Sequence, residues 1–323
     1  MIYAIITIIL FVCELVYFKI ADKYNIIDKP NTRSSHNYIT IRGGGIVFWL
    51  AALLYFIIAL TVSSVPIPTV PIVSFFSGLT MLSIVSFWDD IKSLPNKIRI
   101  IIHFLSISLV FYGLNLYSTL PWYLILIAYI FFVGILNAYN FMDGINGITG
   151  LYSLAILISL QYINRKYLFT EPDFINFAII ACIVFLFFNF RKKAKCFAGD
   201  IGSMAISFWI VTSLLQLMLK TNSIIWIMFL AVYGVDTVFT ILHRLCLKQN
   251  IFKPHRLHFY QILANEKHLS HQLVSFLYAA IQLLIGGVII AVHFKFPQFE
   301  SVAAIAISLI LVLVYLVKFK FLS

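Results

Sequence analysis

The sequence predicts an all-α polytopic integral membrane protein, one domain spanning residues 1–323. Three observations predict it. The 323 residues are 62% hydrophobic and only 11% charged. Water-soluble chains are about a quarter charged, so lipid has to be the main solvent here. The apolar residues come in runs of the length a bilayer demands, about 20 with a range of about 17–25. The basic residues collect in every second segment between those runs, the pattern of the positive-inside rule.

Read in order, the runs are eleven: 1–18, 43–61, 70–88, 100–116, 122–138, 149–163, 174–190, 204–219, 224–242, 272–293 and 300–317. The first has no basic leader, no small-residue cleavage site and Glu14 within it, so it reads as a retained span and not a signal peptide. Pro66, Pro68, Pro71 and Pro121 punctuate the turns between runs. With the N-terminus outside and the C-terminus cytoplasmic, the main cytoplasmic loops are 19–42, 89–99, 139–148, 191–203 and 243–271. Of the 23 Lys and Arg residues, only Arg165, Lys166, Lys220 and Lys295 then lie outside. The net charge of +11 is accounted for by that bias, and nucleic-acid binding is disfavoured. Cys13, Cys182, Cys196 and Cys246 have no metal-ligand spacing. No internal repeat of the transporter kind is visible.

Most of the twelve acidic residues share the basic face, which the charge rule does not explain. Acids at a membrane edge are costly and tend to be functional. Asp89-Asp90 ends the third run, near Lys92, Lys97 and Arg99. It reads either as a hydrated helix terminus or as a paired-carboxylate site. Asn137, Asn140, Asp143 and Asn146, with Gly144 and Gly147, form a dense polar turn that suits a base or a sugar, or simply caps a helix. Gly199-Asp200-Ile-Gly202-Ser203 is either a helix N-terminus with its cap or a divalent-metal and phosphate site beside Arg191, Lys192, Lys193 and Lys195. His243-Arg244 and Pro254-His255-Arg256-Leu257-His258 suit an anionic nucleotide. Asp236 lies in the ninth run near its inner end. The first loop holds Asp28-Lys29-Pro30-Asn31-Thr32-Arg33-Ser34-Ser35-His36 and Arg42-Gly43-Gly44-Gly45, groups able to hold a phosphate. No Walker motif and no GxGxxG occurs. The hard oxygen ligands match magnesium better than zinc.

Taken together, these five segments resemble the polyprenyl-phosphate N-acetylhexosamine-1-phosphate transferases of glycosyltransferase family 4. The matches run from Asp28 to Gln261: the DKPNxRSSH…RGGG loop, Asp89-Asp90, NxxNxxDGxxG, FxGDxGS and PHRxHxYQ. The resemblance implies Mg2+-dependent transfer of a sugar-1-phosphate from a UDP-N-acetylhexosamine to undecaprenyl phosphate, with release of UMP. It starts a cell-surface glycan at the cytoplasmic face of the bacterial inner membrane. It implies Asp89, Asp90, Asp143 and Asp200 as catalytic carboxylates, with Asp200 and Asp143 on the metal and manganese able to replace magnesium. Arg42, Lys92, Asn137, Asn140, Asn146, His255, Arg256 and His258 are implied to bind substrate. Membrane lipid is the surrounding partner, and a homodimer stays open. Two departures stand out. Asn146 replaces an Asp common in the family, and Pro254–His258 lacks the His cluster of the peptidoglycan enzyme, which points to the O-antigen or capsule branch. The rival reading is a secondary transporter, which puts its ionisable residues near the midplane and not at loop edges.

Overall fold

The computed structural model describes residues 2–30, 35, 38–61, 69–250 and 255–322. The elements are α1 (Ile2–Lys23), β1 (Ile27–Asp28), β2 (Thr40–Ile41), α2 (Ile46–Thr61), α3 (Thr69–Ile91), α4 (Asn96–Gly113), α5 (Leu116–Thr119) and α6 (Trp122–Met142). They continue with α7 (Ile148–Tyr167), α8 (Pro172–Asn189), α9 (Gly199–Thr221), α10 (Ala231–Cys246), α11 (Phe259–Asn265), α12 (His271–Lys295), α13 (Glu300–Leu316) and α14 (Phe319–Leu322). Helices dominate because each satisfies its own backbone hydrogen bonds, which lipid cannot do for it.

Ten of the eleven apolar runs centre on one of these helices, and the run 224–242 divides between a 3-10 helix (Ile225–Leu230) and α10. Among the described residues, eight helices are long and apolar enough to cross a membrane by length and composition. At 16 residues, α2 is apolar but short. Two others fall below that apolarity: α4, which opens with Lys97 and Arg99, and α7, which carries Thr149, Ser153, Ser159, Gln161 and Asn164. The chain is a multi-pass helical membrane protein with an apolar coat: Ile8, Trp122, Ile130, Leu284 and Leu313 all stand exposed.

The centre of the bundle is α9, 83% of whose apolar window is buried, against 11% for the window containing α13. It is apolar all round, as a fully enclosed helix must be, and packs against α2, α3, α6, α7 and α8. Its hydroxyls are spent internally: Thr212 and Ser213 donate to carbonyls four residues back, as Thr and Ser do in buried helices.

Three expectations about the polar segments change. α6 runs on to Met142, so Asn137 and Asn140 sit on its last turns, and the polar turn proper is only 143–147. α9 begins at Gly199, so Asp200 and Ser203 are helical and the expected loop 191–203 is shorter. The expected loop 243–271 contains the end of α10 and the short helix α11. In the first loop, β1 and β2 pair antiparallel, Ile27 opposite Ile41, and Ile41 bridges in parallel to Cys196. Asn31, Thr32, Arg33, Ser34 and His36 of that loop, and Lys253 and Pro254 later, lie outside the described residues.

Candidate active site

Four segments converge at one end of α9. The convergence starts with backbone. The Phe197 N–H donates to the Ile41 carbonyl, and the Gly44 and Gly45 N–H groups donate to the carbonyls of Phe197 and Ala198 at 2.8 and 3.0 Å. Gly45 and Gly202 meet backbone to backbone, and a Cβ on either would collide with the other. Glycine at both positions is therefore what lets the loop dock on the first turn of α9. The expected phosphate-holding role of this glycine triplet does not follow from the geometry, because two of its amides are spent on that docking. What the triplet does is aim Arg42.

Helix α9 lacks a cap of its own, since the residue before it, Ala198, has no side-chain acceptor. Asp90 supplies the cap from α3. Its Oδ1 accepts the Asp200 N–H at 2.9 Å and its Oδ2 the Ile201 N–H at 3.0 Å. This satisfies two of the orphan donors that begin every helix and sets a negative charge at the positive end of the dipole. Asp90 is thus committed to holding α9 in place, and through it the position of Asp200.

Two arginines tie the carboxylates together. Arg42 donates through Nε to Asp90 Oδ1 at 2.7 Å, and its Nη2 stands 3.5 Å from Asp200 Oδ1. Arg99 pairs with Asp89 Oδ2 at 3.1 Å and with Asp200 Oδ2 at 3.4 Å. Asn140 donates to Asp200 Oδ1 at 3.0 Å and to Ser203 Oγ at 3.2 Å. Asp89 also receives the Leu94 N–H at 2.6 Å, which fixes the turn between α3 and α4 and brings Arg99 round. Burial works against the charge on Arg42, but the adjacent Asp90 and Asp200 more than offset it and hold its guanidinium above its ordinary range.

Asp143 stands next to this lattice as the residue that ends α6, accepting the Thr149 hydroxyl at 2.6 Å. Burial pushes its carboxyl up to about 6, with the Thr149 bond opposing and Asp200 adding to the rise. Asn146 plays a different part. It is buried, and its Nδ2 donates to the Arg191 carbonyl at 2.8 Å. Its own carbonyl accepts Ser275 Oγ–H at 2.8 Å and its N–H reaches His271 Nδ1 at 3.4 Å. An amide can donate to a carbonyl and a carboxylate cannot, so Asn at this position has a structural reason in this chain.

The PHRLH segment is held by Asp236, a residue the sequence marked only as an acid within a span. On α10, Asp236, Thr240 and Arg244 form one buried stripe at helical spacing. Asp236 Oδ1 accepts the Phe259 N–H at 2.9 Å and Thr240 Oγ–H at 3.2 Å, and lies 3.3 Å from His258 Nδ1. Its Oδ2 accepts the Tyr278 hydroxyl at 2.7 Å and the Tyr260 N–H at 3.3 Å. His258 and Gln261 cap α11 reciprocally. Tyr260 then donates to the Phe141 carbonyl at 3.0 Å, which seats the whole segment against the Asp143 turn. His258 Nε2 is buried with no partner among the described residues. The ring of His255 lies 4.9 Å from that of His258, and burial, with the neighbouring cations, pushes its imidazole down to about 3. His255 is therefore neutral near pH 7.

The structure thus brings Arg42, Asp89, Asp90, Asn140, Asp143 and Asp200 into one locus, with His255, Arg256 and His258 on the segment beside it. It leaves Lys92 exposed and in no ion pair among the described residues, and Asn137 bonded to its own helix at Val133. The cations on Asp200 are Arg42 and Arg99; Lys192, Lys193 and Lys195, its neighbours in sequence, are exposed. In the sequence Arg99 stands near Asp89-Asp90 and reads only as a partner for that pair. Its link to Asp200 had no sequence signal, since it crosses from α4 to α9.

Among the described residues no three His, Cys, Asp or Glu side chains stand together as a closed ion cage. That is compatible with magnesium, which takes one or two carboxylates and completes its shell with water and substrate phosphates. Asp200 and Asp143 are donors of that kind.

The model of the glycosyl transferase family 4 matches residues 72–218, a stretch holding every carboxylate of the locus but neither Arg42 nor the PHRLH segment. The chain is 26% identical over 276 residues to a probable undecaprenyl-phosphate N-acetylglucosaminyl 1-phosphate transferase of Bacillus subtilis (strain 168), covering 80% of this chain and 72% of that protein. It is 27% identical to the undecaprenyl-phosphate alpha-N-acetylglucosaminyl 1-phosphate transferases of Escherichia coli (strain K12), with 90% and 84% covered, and of Salmonella typhi, with 87% and 81% covered.

Proposed function

We propose that the chain is a polyprenyl-phosphate N-acetylhexosamine-1-phosphate transferase of the glycosyl transferase family 4 type, a reading the family match and the relatives support, and that it moves a sugar-1-phosphate from a UDP-N-acetylhexosamine to undecaprenyl phosphate. The observation that carries this reading is the lattice itself: three carboxylates and two guanidinium groups from separate segments, gathered at the end of a central helix. Phosphoryl transfer between two anions is chiefly a problem of positioning and charge neutralisation, and this arrangement addresses both.

An oxygen of the lipid phosphate forms a bond to the sugar-bearing phosphorus of the donor. The bond from that phosphorus to the bridging oxygen breaks, and UMP leaves with the electron pair. The lipid phosphate has a second pKa of about 6, so most of it is already deprotonated at neutral pH and needs orientation more than a base. Asp200 with Asp143 would hold magnesium, whose role when bound is to neutralise diphosphate oxygens. Arg42 and Arg99, already at Asp200, are placed to neutralise phosphate oxygens of the bound substrates. Asn140 keeps Asp200 in orientation. Asp89 lies on the lipid-phosphate side, and Asp90 is a positioning residue. His255, Arg256 and His258 face the nucleotide diphosphate, with His255 as a neutral hydrogen-bonding partner.

In this reading all eleven helices cross the bacterial inner membrane, the locus faces the cytoplasm, and the product begins an O-antigen, capsule or teichoic-acid type glycan. The test is purified protein with undecaprenyl phosphate, magnesium and a panel of UDP-N-acetylhexosamines. UMP release with a lipid-linked sugar diphosphate is expected for at least one donor. Folded protein that turns over none of them, and instead carries a solute across vesicles, overturns the reading.

A further inference from the structure

The end of the bundle away from the acid lattice carries a second built feature. α7 starts at the Asp143 turn and runs 20 residues, about 30 Å at 1.5 Å per residue. Its far end therefore lies roughly a bilayer's thickness from the locus. α12 starts beside Asn146, through His271, and packs along it. The seam between the two helices is closed on one side by the buried Tyr152–Gln282 bond at 2.8 Å and the Tyr167–His293 contact at 2.8 Å. On its other side it opens into a cavity of about 840 Å3. Ile158, Leu283 and Ile290 wall the groove, and a Cβ at Gly287 would meet nothing within 4 Å.

The mouth of that groove is ringed by Arg165, Lys166 and Lys295. These are three of the four basic residues that the charge pattern assigns to this face. None is in an ion pair among the described residues, and Lys166 is poised over the Phe294 ring, 3.6 Å from its centroid. Cations in a last helical turn do suit the dipole. The dipole, however, is indifferent to which side of the turn they take, and here all three border one cavity on the face where the charge rule disfavours them.

We propose that this α7–α12 groove is a binding site for one anionic phospholipid, its acyl chain along Ile158, Leu283 and Ile290 and its phosphate among Arg165, Lys166 and Lys295. The occupant is argued from charge complementarity: a largely apolar cavity bordered by three cations, with no acid among its lining residues. Because α7 and α12 also carry Thr149 and His271, which hold Asp143 and Asn146, an occupied groove braces the two helices that frame the locus from behind.

The test needs no sugar donor, so it stands apart from the transferase reading. The full-length protein in neutral detergent is offered equal amounts of dioleoyl-phosphatidylglycerol and dioleoyl-phosphatidylcholine, and retained lipid is weighed by native mass spectrometry. The wild type is expected to keep one phosphatidylglycerol with a preference of about tenfold or more, as three nearby cations provide. Arg165→Gln/Lys166→Gln/Lys295→Gln is expected to bring that preference close to parity. Gly287→Leu, which has room for its side chain and leaves the charges in place, is expected to lose the bound lipid. Equal retention of both lipids by the wild type, or an undiminished preference in the triple variant, overturns the proposal. So does a Gly287→Leu protein that keeps its lipid but passes from dimer to monomer, which would assign the groove to a second copy.

Discussion

Asp200 and Asp236 both lie on helices of the same bundle, and they are held in opposite ways. Asp236 is saturated: five groups point at its two oxygens, two of them backbone N–H groups, and its side chain is 3% exposed. Asp200 keeps 16% exposure and meets side-chain partners, two guanidinium groups, one amide and the neighbouring carboxyl of Asp89. A carboxylate whose lone pairs are all taken by fixed donors can only hold structure. One held by arginines can exchange them for an ion or a phosphate, because the guanidinium groups can turn to another anion. The comparison separates an acid whose oxygens are committed to structure from one left able to exchange partners, without reference to which is nearer a membrane edge.

The sharpest way to break that comparison is Asp200→Asn. UMP release is expected to fall about a thousandfold, the scale seen when a charge-stabilising group is removed from a preorganised site, while thermal unfolding in detergent shifts little. Turnover near wild type would remove Asp200 from the chemistry. Asp236→Ala should do the reverse. Leaving His258, Tyr278 and two backbone donors unpaired is expected to cost about 3–5 kcal/mol of stability, read as a lower midpoint of unfolding. A variant that unfolds like wild type yet cannot turn over would place Asp236 among the reacting groups. Asn146→Asp sharpens the comparison at a third site. It swaps a donor to the Arg191 carbonyl for an acceptor facing it and should cost about 1–3 kcal/mol. Equal or greater stability would show that the segment around Arg191 re-forms around a carboxylate. The smallest expected effect is Lys92→Ala. This residue is exposed and outside the lattice, so its loss should change kcat/KM less than about twofold, the range of ordinary surface substitutions. A tenfold rise in KM would return it to the substrate.

Legibility differed between kinds of residue. The apolar runs found the helices, since any segment in lipid must close its own hydrogen bonds. The ends of the runs are blurred wherever a polar residue continues a helix: Asn140 and Asp200 fall outside the apolar runs because amides and acids interrupt apolarity, yet both lie on helical turns that face the locus, Asp200 at the helix N-terminus that is one of its two sequence readings. The acids Asp89, Asp90, Asp143 and Asp200 stand out in the sequence because they share the basic face, which the charge rule does not explain, even though each also has a reading as a helix end or cap. Asp236 did not, because a single acid within a run looks the same whether it fastens or reacts.

Composition and the order of motifs, then, determined a helical membrane protein with its acids, amides and histidines gathered in a few polar segments, because burial in lipid leaves so few places where such residues are affordable. Only the tertiary structure decided their division of labour. That Asp90 caps α9, that Arg42 from the first loop and Arg99 from α4 converge on Asp200, and that Asp236 anchors the histidines all depend on contacts between residues more than twenty positions apart. The hydrogen bonds and ion pairs that define them act over about 3 Å, a distance that exists only once the helices have packed.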